Sequence, residues 1–528
     1  MSIAKLYPQS SPTACFLHVC NLFLLGALAC SQAVAHHRPE AVSVRLGGIL
    51  GQPQAQLDGF KSRALCAGAG AQRNLYITEW RRIQVAGDAG AEVLVISDDG
   101  TVDCECLLFQ ISHAELVTAL YNGKWAAVAL AVATQHGCLT ASSPLTALEA
   151  ALALVQTQAS RAPAPNVWLL TTGAQVGFVG AGHAGSWGLS RSARAEASLP
   201  VICIDGPVHK IVLQGSSCVE SETVLLANEH SVPRLMYASN VTGRNAHATS
   251  ESHLITGGTS GLGLLTARWL AQRGATLLTL ASRSGRLARD MANEWEHVQA
   301  TIVPTHAQRC DTAETTHVRR VLLSGHAQIP AIGVWHAAGV LADSVLPKQT
   351  AGSLAWVYAP KVHGAWTLQS AFICTPLRMC ALFSSVAALL GGAGQANYSA
   401  ANACLDALAA SRRANSTTST SVQWGAWAEL GMAARGAASV RMAAMEAASG
   451  FARIGLAQGL AALHVAVLPR AASFVGVVPV QWHRMLGGGM APAFLTTMIP
   501  RSSRERFLSP ESLVTRNRRE RPDRLELL

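Results

Sequence analysis

The sequence predicts an α/β protein with two Rossmann-like halves, the second of which binds a dinucleotide. From Leu75 onward, short apolar runs alternate with helical stretches, which is typical of a parallel sheet covered by helices. A second, more regular series of this kind begins near Ser252. A glycine-rich turn, residues 256–263, lies between the first strand and the first helix of that second series. These three observations give the fold class.

Length and composition indicate a globular chain with room for two or three domains. The chain has 528 residues, of which half are hydrophobic and 14% are charged, so each domain can bury its own core. The thirteen cysteines are scattered, and their spacing predicts neither a metal site nor a disulfide framework. The net charge of +10 is concentrated in part in the arginine-rich residues 488–528. We predict a basic disordered tail there, without specific nucleic-acid binding.

Residues 1–73 are interpreted separately, as a leader or a linker. An apolar stretch at residues 14–29 precedes Ala33-Val34-Ala35, a small-residue pattern like that of a signal-peptidase site. The stretch is short for a membrane span, and we expect no stable membrane insertion. Two interpretations remain open: a leader that directs the chain to a plastid or another organelle stroma, or an upstream linker of a cytoplasmic protein.

The first half, residues 74–250, is predicted to be Rossmann-like but to bind no cofactor. Its predicted strands are residues 91–96, 167–172 and 199–205, and a helix is predicted at 144–158. Glycine-rich residues 173–188 follow a strand, as a nucleotide loop would. Their glycines do not have a phosphate-binding spacing, and bulky Phe178 interrupts them.

The second half, residues 251–487, has six predicted strands, which suits a doubly wound dinucleotide fold. These strands are residues 253–256, 276–281, 301–305, 331–336, 379–384 and 421–424. The turn after the first strand has glycines that let backbone N–H groups approach a pyrophosphate at the start of a helix, predicted at 264–273. Its candidate cofactor residues are Thr256, Gly257, Gly258, Thr259, Ser260, Gly261, Leu262 and Gly263.

The end of the second strand favours NADPH as the cofactor. An NAD enzyme usually places an acidic residue there to bind the ribose 2′-hydroxyl. This chain has Ser282, Arg283 and Ser284 instead, and the arginine suits a 2′-phosphate. Further along, Asp311 is placed to bind the adenine amine. The segment predicted to pass beside the ribose is His336, Ala337, Ala338 and Gly339.

The candidate catalytic residues are Lys361, Ser385, Tyr398 and Asn402. Tyr398 and Asn402 are four residues apart and therefore share one helical face. A tyrosine is a poor acid at neutral pH unless a nearby cation lowers its pKa, and Lys361 is expected to supply that charge. Ser385 would donate a hydrogen bond to a substrate carbonyl oxygen, and Tyr398 would donate the proton that accompanies hydride transfer.

At these residues the chain resembles the ketoreductase domain of type I modular polyketide synthases, a branch of the short-chain dehydrogenase/reductase superfamily. The motifs occur in the family's order: TGGTSGLG, SRS, HAAGVLADSVL, APKVHGAW, LFSSVAALLGGAGQANYSAANACLDALA and WGAWAELGM. Typical members of the superfamily have lysine four residues after the tyrosine. Here Asn402 holds that position and the lysine is Lys361, the exchange that marks polyketide-type ketoreductases.

The resemblance implies an NADPH-dependent reductase of β-ketoacyl thioesters held on an acyl carrier protein, in polyketide or fatty-acid biosynthesis. The resemblance also implies that the first half is the family's structural subdomain, and that other synthase modules are partners. Asp343, Leu390 and Met432 are the implied substrate and stereocontrol residues. Asp343 is the final aspartate of the family's Leu-Asp-Asp motif, which is associated with one stereochemical outcome. Leu390 stands where ketoreductases of the opposite stereochemical outcome have tryptophan. The resemblance therefore implies a 3R-hydroxy product. The alternative is a non-catalytic module that serves architecture or carrier docking.

Overall fold

A computed structural model divides the chain into two compact units, residues 1–70 and 71–528. The residues it describes are 32–38, 41–47, 53–60, 74–84, 93–96, 108–109, 127–131, 142–160, 166–177, 180–197, 199–207, 211, 220–226, 229–238, 251–323, 333–375, 377–429, 446, 450–486 and 491–499.

The described residues of the first unit form three antiparallel strands: β1 (Gln32–Arg38), β2 (Ala41–Gly47) and β3 (Pro53–Phe60). β2 pairs with both neighbours. Ala33-Val34-Ala35, the pattern that resembled a cleavage site, lies within β1. The apolar stretch at residues 14–29 lies outside the described residues, so both interpretations of residues 1–73 stay predictions.

Up to residue 250, the part of the second unit that the structure describes contains eight strands and two α-helices. They are β4 (Leu75–Ile83), β5 (Val93–Ile96), β6 (Leu108–Phe109), β7 (Ala127–Ala131), α1 (Ser142–Ala159), β8 (Asn166–Thr171), α2 (Gly185–Ala197), β9 (Val201–Asp205), β10 (Glu222–Leu226) and β11 (Glu229–Tyr237). A short 3-10 helix, Ala181–Ala184, leads directly into α2. The central strands are buried; every residue of β7 is, for example.

The remaining elements begin at Ser252. They are β12 (Ser252–Thr256), α3 (Gly261–Ala271), β13 (Leu277–Ser282), α4 (Ala292–Gln299), β14 (Thr305–Arg309), α5 (Thr315–Leu323), β15 (Gly333–His336), α6 (Ala351–Tyr358), α7 (Gly364–Ala371), β16 (Met379–Ser385), α8 (Val386–Leu390), α9 (Ala396–Ala414), β17 (Thr420–Trp424), α10 (Leu456–Ala466), β18 (Phe474–Val477) and α11 (Trp482–Met485). Short 3-10 helices lie at Arg289–Met291, Leu346–Lys348 and Ala493–Met498, and a π-helical turn, Ala359–His363, joins α6 to α7.

One continuous sheet runs through both halves of the second unit. In the described residues its order is β14-β13-β12-β15-β16-β17-β18-β4-β11-β10-β9-β8-β7-β5-β6. The first seven strands are parallel, and so are the last six. Antiparallel pairing of β4 with β18 and β11 joins the two series edge to edge. The predicted fold class is therefore confirmed, and the shared sheet leaves the two halves no free edge between them.

The third strand of the second series lies further along the chain than predicted. The sequence indicated residues 301–305, whereas β14 is Thr305–Arg309. Thr301 instead donates its hydroxyl to the carbonyl oxygen of Val298 at the end of α4, and Ile302 is fully exposed. β14 is a polar edge strand of alternating exposure, so its residues lack the apolar run that marks a buried strand.

The end of the described chain differs from the prediction in two respects. β18 adds a seventh parallel strand, which the six-strand prediction omitted. The predicted disordered tail also begins with ordered chain, because Leu495, Met498 and Ile499 are buried in a cluster with Tyr76 and Leu235. The segment therefore packs on the strands that join the two halves.

The glycine-rich loop after β8 is held by a carboxylate of the same half. The backbone N–H groups of Ala174, Gln175 and Val176 donate to the Asp205 carboxylate at 3.0, 2.9 and 3.1 Å. The Thr171 hydroxyl donates to it at 2.8 Å. In a nucleotide-binding loop such successive N–H groups face a phosphate, whereas here they bind the chain's own side chain.

Among the helices that the structure describes, none has the length and apolar character needed to cross a membrane.

Candidate active site

The turn between β12 and α3 requires glycine for space as well as for conformation. Gly257 has φ +66°, and a Cβ on it would lie 2.8 Å from the carbonyl oxygen of Ala337. A Cβ on Gly263 would lie 2.3 Å from the carbonyl oxygen of Gly257. The first turn of α3 is thus folded against the loop that precedes it. The result is a tight turn at a helix N-terminus, the kind of arrangement that binds the pyrophosphate of a dinucleotide.

Arg283 lies on the surface, just beyond the end of β13. β13 pairs with β12, and the Gly258 N–H donates to the carbonyl oxygen of Ala281, so the arginine follows the strand beside the glycine turn. Its guanidinium carbon lies 5.5 Å from the ring centroid of Trp356 in α6. The side-chain hydroxyls of Ser282 and Ser284 each accept a backbone N–H of the same turn. The arrangement fits a 2′-phosphate, whose charge the arginine would meet.

Asp311 follows β14, and one of its carboxylate oxygens accepts the Ala313 N–H at 3.1 Å. The predicted contact of Asp311 with adenine stays a prediction.

His336, in the segment predicted to pass beside the ribose, has a fully buried side chain, and its contact with the cofactor stays a prediction. Its Nδ1 lies 2.8 Å from the Thr256 hydroxyl and its Nε2 lies 2.8 Å from the carbonyl oxygen of Lys361. A carbonyl oxygen only accepts, so Nε2 carries the proton and Nδ1 accepts from Thr256. Burial lowers the pKa of His336 to about 4. The neutral ring therefore ties the start of the cofactor turn to the turn that carries Lys361.

Three elements bring the candidate catalytic residues together. Ser385 ends β16, Tyr398 and Asn402 lie on α9, and Lys361 lies in the π-helical turn between α6 and α7. The Lys361 ammonium donates to the carbonyl oxygen of Phe383 in β16 at 3.0 Å. It also lies 5.2 Å from the ring centroid of Tyr398. The site therefore forms where the fourth and fifth strands of the parallel series end.

Burial shifts the pKa values of both Tyr398 and Lys361. Burial raises the pKa of the Tyr398 hydroxyl to about 12, although the side chains of Asn402 and Ser385 oppose that rise. Burial also lowers the pKa of Lys361 to about 7. Burial is the largest cause of both shifts, and the expectation that the charge of Lys361 lowers the pKa of Tyr398 stays a prediction.

Asn402 is buried and holds the helix geometry beside Tyr398. Its amide nitrogen donates to the carbonyl oxygen of Tyr398 at 2.7 Å. Its side-chain oxygen is buried and has no hydrogen-bond partner among the described residues. An unpaired buried acceptor costs free energy.

Two loops border the reaction centre, and both carry residues singled out from the sequence. Asp343 lies in the loop after β15 and receives weak hydrogen bonds from Gln395, at 3.4 and 3.5 Å. Its negative charge contributes to the raised pKa of Tyr398. Leu390 ends α8, and Gly391 after it has φ +78°. Met432 lies outside the described residues, so its proposed role stays a prediction.

Sequence reasoning missed Asp406, one helical turn beyond Asn402. It is buried on α9 and accepts hydrogen bonds from Ser421 at 2.6 Å and from Gln423 at 2.7 Å. Burial raises the pKa of Asp406 to about 6, and its negative charge opposes the lowering of the pKa of Lys361. The four-residue spacing from Asn402 was the available signal for its place on this face of the helix.

Comparison with known proteins identifies the family of the second half. A family model described as "KR domain" matches residues 251–429. Polyketide synthase GfsA of Streptomyces halstedii is 34% identical over 409 residues, which are 72% of this chain and 5% of that protein. The chain spans only 5% and 10% of the length of the first two curated relatives.

Solved structures agree over a larger part of the fold. A structure described as an A1-type ketoreductase has a TM-score of 0.72 and 25% identity, and the match covers 84% of this chain and 99% of that one. The first ketoreductase of the tylosin polyketide synthase has a TM-score of 0.64 and 27% identity, with 79% and 95% covered. The similarity thus extends beyond residues 251–429 into the first half.

Proposed function

The chain contains a ketoreductase domain of the polyketide-synthase family, and from that premise we propose that it reduces a β-ketoacyl thioester to the β-hydroxyacyl thioester. The observation that carries the proposal is the convergence of Lys361, Ser385 and Tyr398 at the carboxyl ends of β15 and β16 and on the helix that follows. That is the edge of a parallel sheet at which ligands bind. A non-catalytic module with only an architectural role would not require these three side chains.

The proposed reaction reduces a ketone to a secondary alcohol. When bound, NADPH supplies the hydride that adds to the carbonyl carbon. Ser385 donates a hydrogen bond to the carbonyl oxygen, and Tyr398 donates the proton that this oxygen acquires, so the C=O group becomes CH–OH. The pKa of Tyr398, about 12, keeps its hydroxyl protonated at neutral pH. Lys361, with a pKa of about 7, is suited to return a proton to Tyr398 after turnover.

NADPH is proposed over NADH because of Arg283. The glycine turn accepts a pyrophosphate of either cofactor, since its contacts are made by backbone N–H groups. Arg283 is an exposed cation at the end of the strand beside that turn. The 2′-phosphate is the group that distinguishes NADPH from NADH, and its negative charge would be met by this arginine.

The substrate is proposed to arrive on an acyl carrier protein, as a phosphopantetheine thioester. The relatives named above are polyketide synthases, of which this chain matches a small part. Other synthase modules are proposed as the assembly in which the reductase works.

The experiment is an NADPH oxidation assay with a β-ketoacyl chain on a carrier protein and, separately, on free pantetheine. We expect turnover with both, and a lower KM with the carrier-bound chain. A folded chain that binds NADPH but oxidises none with either thioester would refute the catalytic proposal in favour of the architectural module. An equal KM for the two substrates would refute the carrier proposal alone.

A further inference from the structure

The two loops that border the reaction centre are coupled to each other. The first runs from β15 to the 3-10 helix Leu346–Lys348, and the second, residues 391–395, joins α8 to α9. The Ser344 N–H of the first donates to the carbonyl oxygen of Gly394 in the second at 2.9 Å. The first loop also passes the reacting groups, since a Cβ on Gly339 would lie 2.9 Å from the Lys361 side chain. The two loops therefore lie against each other, and the first also lies against the Lys361 side chain.

A single carboxylate from the other half of the unit holds both loops. Glu196, near the end of α2, accepts the Leu346 N–H on Oε1 at 2.5 Å and the Gly394 N–H on Oε2 at 2.8 Å. Each carboxylate oxygen thus satisfies one backbone donor, in hydrogen bonds that the negative charge strengthens. The second loop ends at Gln395, immediately before α9, whose third residue is Tyr398.

Helix α2 gives Glu196 a fixed frame, because it is packed tightly on α9. Gly188 approaches so closely that a Cβ there would lie 2.2 Å from the carbonyl oxygen of Ser399. Ser192 donates its hydroxyl to that of Ser399 at 2.7 Å and accepts the Gly392 N–H at 3.2 Å. Arg191 donates to the carbonyl oxygen of Ala388 in α8 at 2.5 Å. One face of α2 therefore contacts both helices that flank the second loop.

We propose that Glu196 is a positioning residue of the reductase, which holds loops 339–346 and 391–395 in the arrangement that admits the ketone to Tyr398. The inference rests on the proposed function, and it assigns part of the active site's geometry to the half that does not carry the catalytic residues. Glu196 acts through the loops and touches none of the four candidate catalytic side chains. Its removal should disturb use of the ketone and spare the cofactor, because Glu196 binds the first loop at Leu346, whereas the hydrogen bonds of that loop to the cofactor turn are made by Ala337 and Ala338 at its other end.

The test compares Glu196→Gln and Glu196→Ala with the wild-type chain. A glutamine has one acceptor oxygen and can keep only one of the two hydrogen bonds, whereas an alanine keeps neither. We expect kcat/KM for the β-ketoacyl thioester to fall in the order wild type, Gln, Ala, by roughly 10- to 100-fold for Ala, because small misplacements of a substrate carry losses of that order. The dissociation constant for NADPH should stay unchanged. Glu149→Gln, on α1 of the same half, is the matched control and should behave as wild type.

Amide hydrogen exchange separates this inference from the proposed function. In Glu196→Ala, peptides that cover residues 339–350 and 391–397 should exchange faster, while the rest of α9 keeps its protection. Unchanged exchange in those peptides, or unchanged kcat/KM in a folded Glu196→Ala variant, would overturn the inference. A wild-type chain without turnover would overturn the proposed function, and the exchange result would still decide whether Glu196 holds the loops. If Glu196→Ala does not fold, the Gln variant gives the same readouts.

Discussion

At Lys361 the burial of the side chain opposes its positive charge. Lys361 is 3% exposed, and among the described residues its ammonium donates one hydrogen bond, to the carbonyl oxygen of Phe383. Burial moves its pKa from 10.5 to about 7, so the folded chain binds its proton less tightly than the unfolded chain does. The proposed role of Lys361, as an amine that exchanges a proton beside Tyr398, therefore carries a cost in stability.

The first prediction is a pH-dependent gain in stability from Lys361→Met. Between pH 7 and about 10.5 the unfolded chain holds a proton on Lys361 that the folded chain lacks, so this group makes stability rise with pH over that window. Below pH 7 both states are charged and the burial penalty is complete. The melting temperature of the variant should therefore exceed that of wild type most at pH 6, and the difference should shrink towards pH 10. Thermal unfolding without added cofactor measures it.

Lys348→Met is the control for this prediction. Lys348 is exposed and should show a difference from wild type that does not change between pH 6 and pH 10. A pH-independent difference for Lys361→Met as well would contradict the burial argument.

The second prediction concerns Arg283 and the choice of cofactor. Replacing it with alanine removes a cation that would meet the 2′-phosphate and leaves the glycine turn intact. We expect kcat/KM for NADPH to fall roughly 10- to 100-fold, the range of a lost hydrogen bond to a charged group, and kcat/KM for NADH to change little. Arg319→Ala, at an exposed position on α5, is the control. Equal losses with both cofactors would exclude Arg283 as the selector.

At the scale of elements, α2 packs on α9 more closely than a side chain at the point of contact would allow. Gly188 lies against the backbone of Ser399, the neighbour of Tyr398. The two positions are more than two hundred residues apart in sequence, and nothing in the local pattern of either helix indicates the other.

The third prediction is that Gly188→Ala destabilises the chain and slows catalysis. The added methyl group would meet a backbone oxygen at 2.2 Å, so the helices must separate, at a cost of about 1–3 kcal/mol in the free energy of unfolding. Because α9 carries Tyr398, kcat should fall as well. Denaturant unfolding and steady-state kinetics measure the two effects.

Gly352→Ala is the matched control within a helix. Its Cβ would have only an ordinary contact, 3.7 Å from the Thr350 hydroxyl, so stability should stay equal or rise slightly. A Gly188→Ala variant as stable and active as Gly352→Ala would show that the helices do not need this close approach.

At the scale of the whole molecule, the sequence predicted what depends on local pattern. Buried parallel strands such as β12 and β16 appear as apolar runs, and the glycine turn and the spacing of Tyr398 and Asn402 appear directly in the sequence. The edge strand β14 was misplaced because it is polar. The antiparallel junction of β4 with β18 was not predicted, because it pairs residues about four hundred positions apart.

The site shows the same division between local and long-range information. The candidate residues Ser385, Tyr398 and Asn402 could be placed from local pattern, because the first ends a strand and the other two share a helical face. Lys361 lies in a π-helical turn, which the local pattern did not indicate. Glu196 was not, since its two partners are 150 and 198 residues away and a glutamate near a helix end has no distinguishing pattern. The raised pKa of Tyr398 was also unpredictable, because it depends on burial that only the assembled sheet and helices create.

The central claim is that hydride addition to a β-ketone is matched by a proton from Tyr398. The most direct measurement supplies NADPH deuterated at the transferable position, with a short β-ketoacyl-pantetheine thioester, to wild type and to Tyr398→Phe. We expect the wild-type product to be the β-hydroxyacyl thioester with one deuterium at its carbinol carbon. Tyr398→Phe should bind NADPH as wild type does and form little or none of this product. Full turnover by Tyr398→Phe, or a wild-type product without the deuterium, would contradict the account.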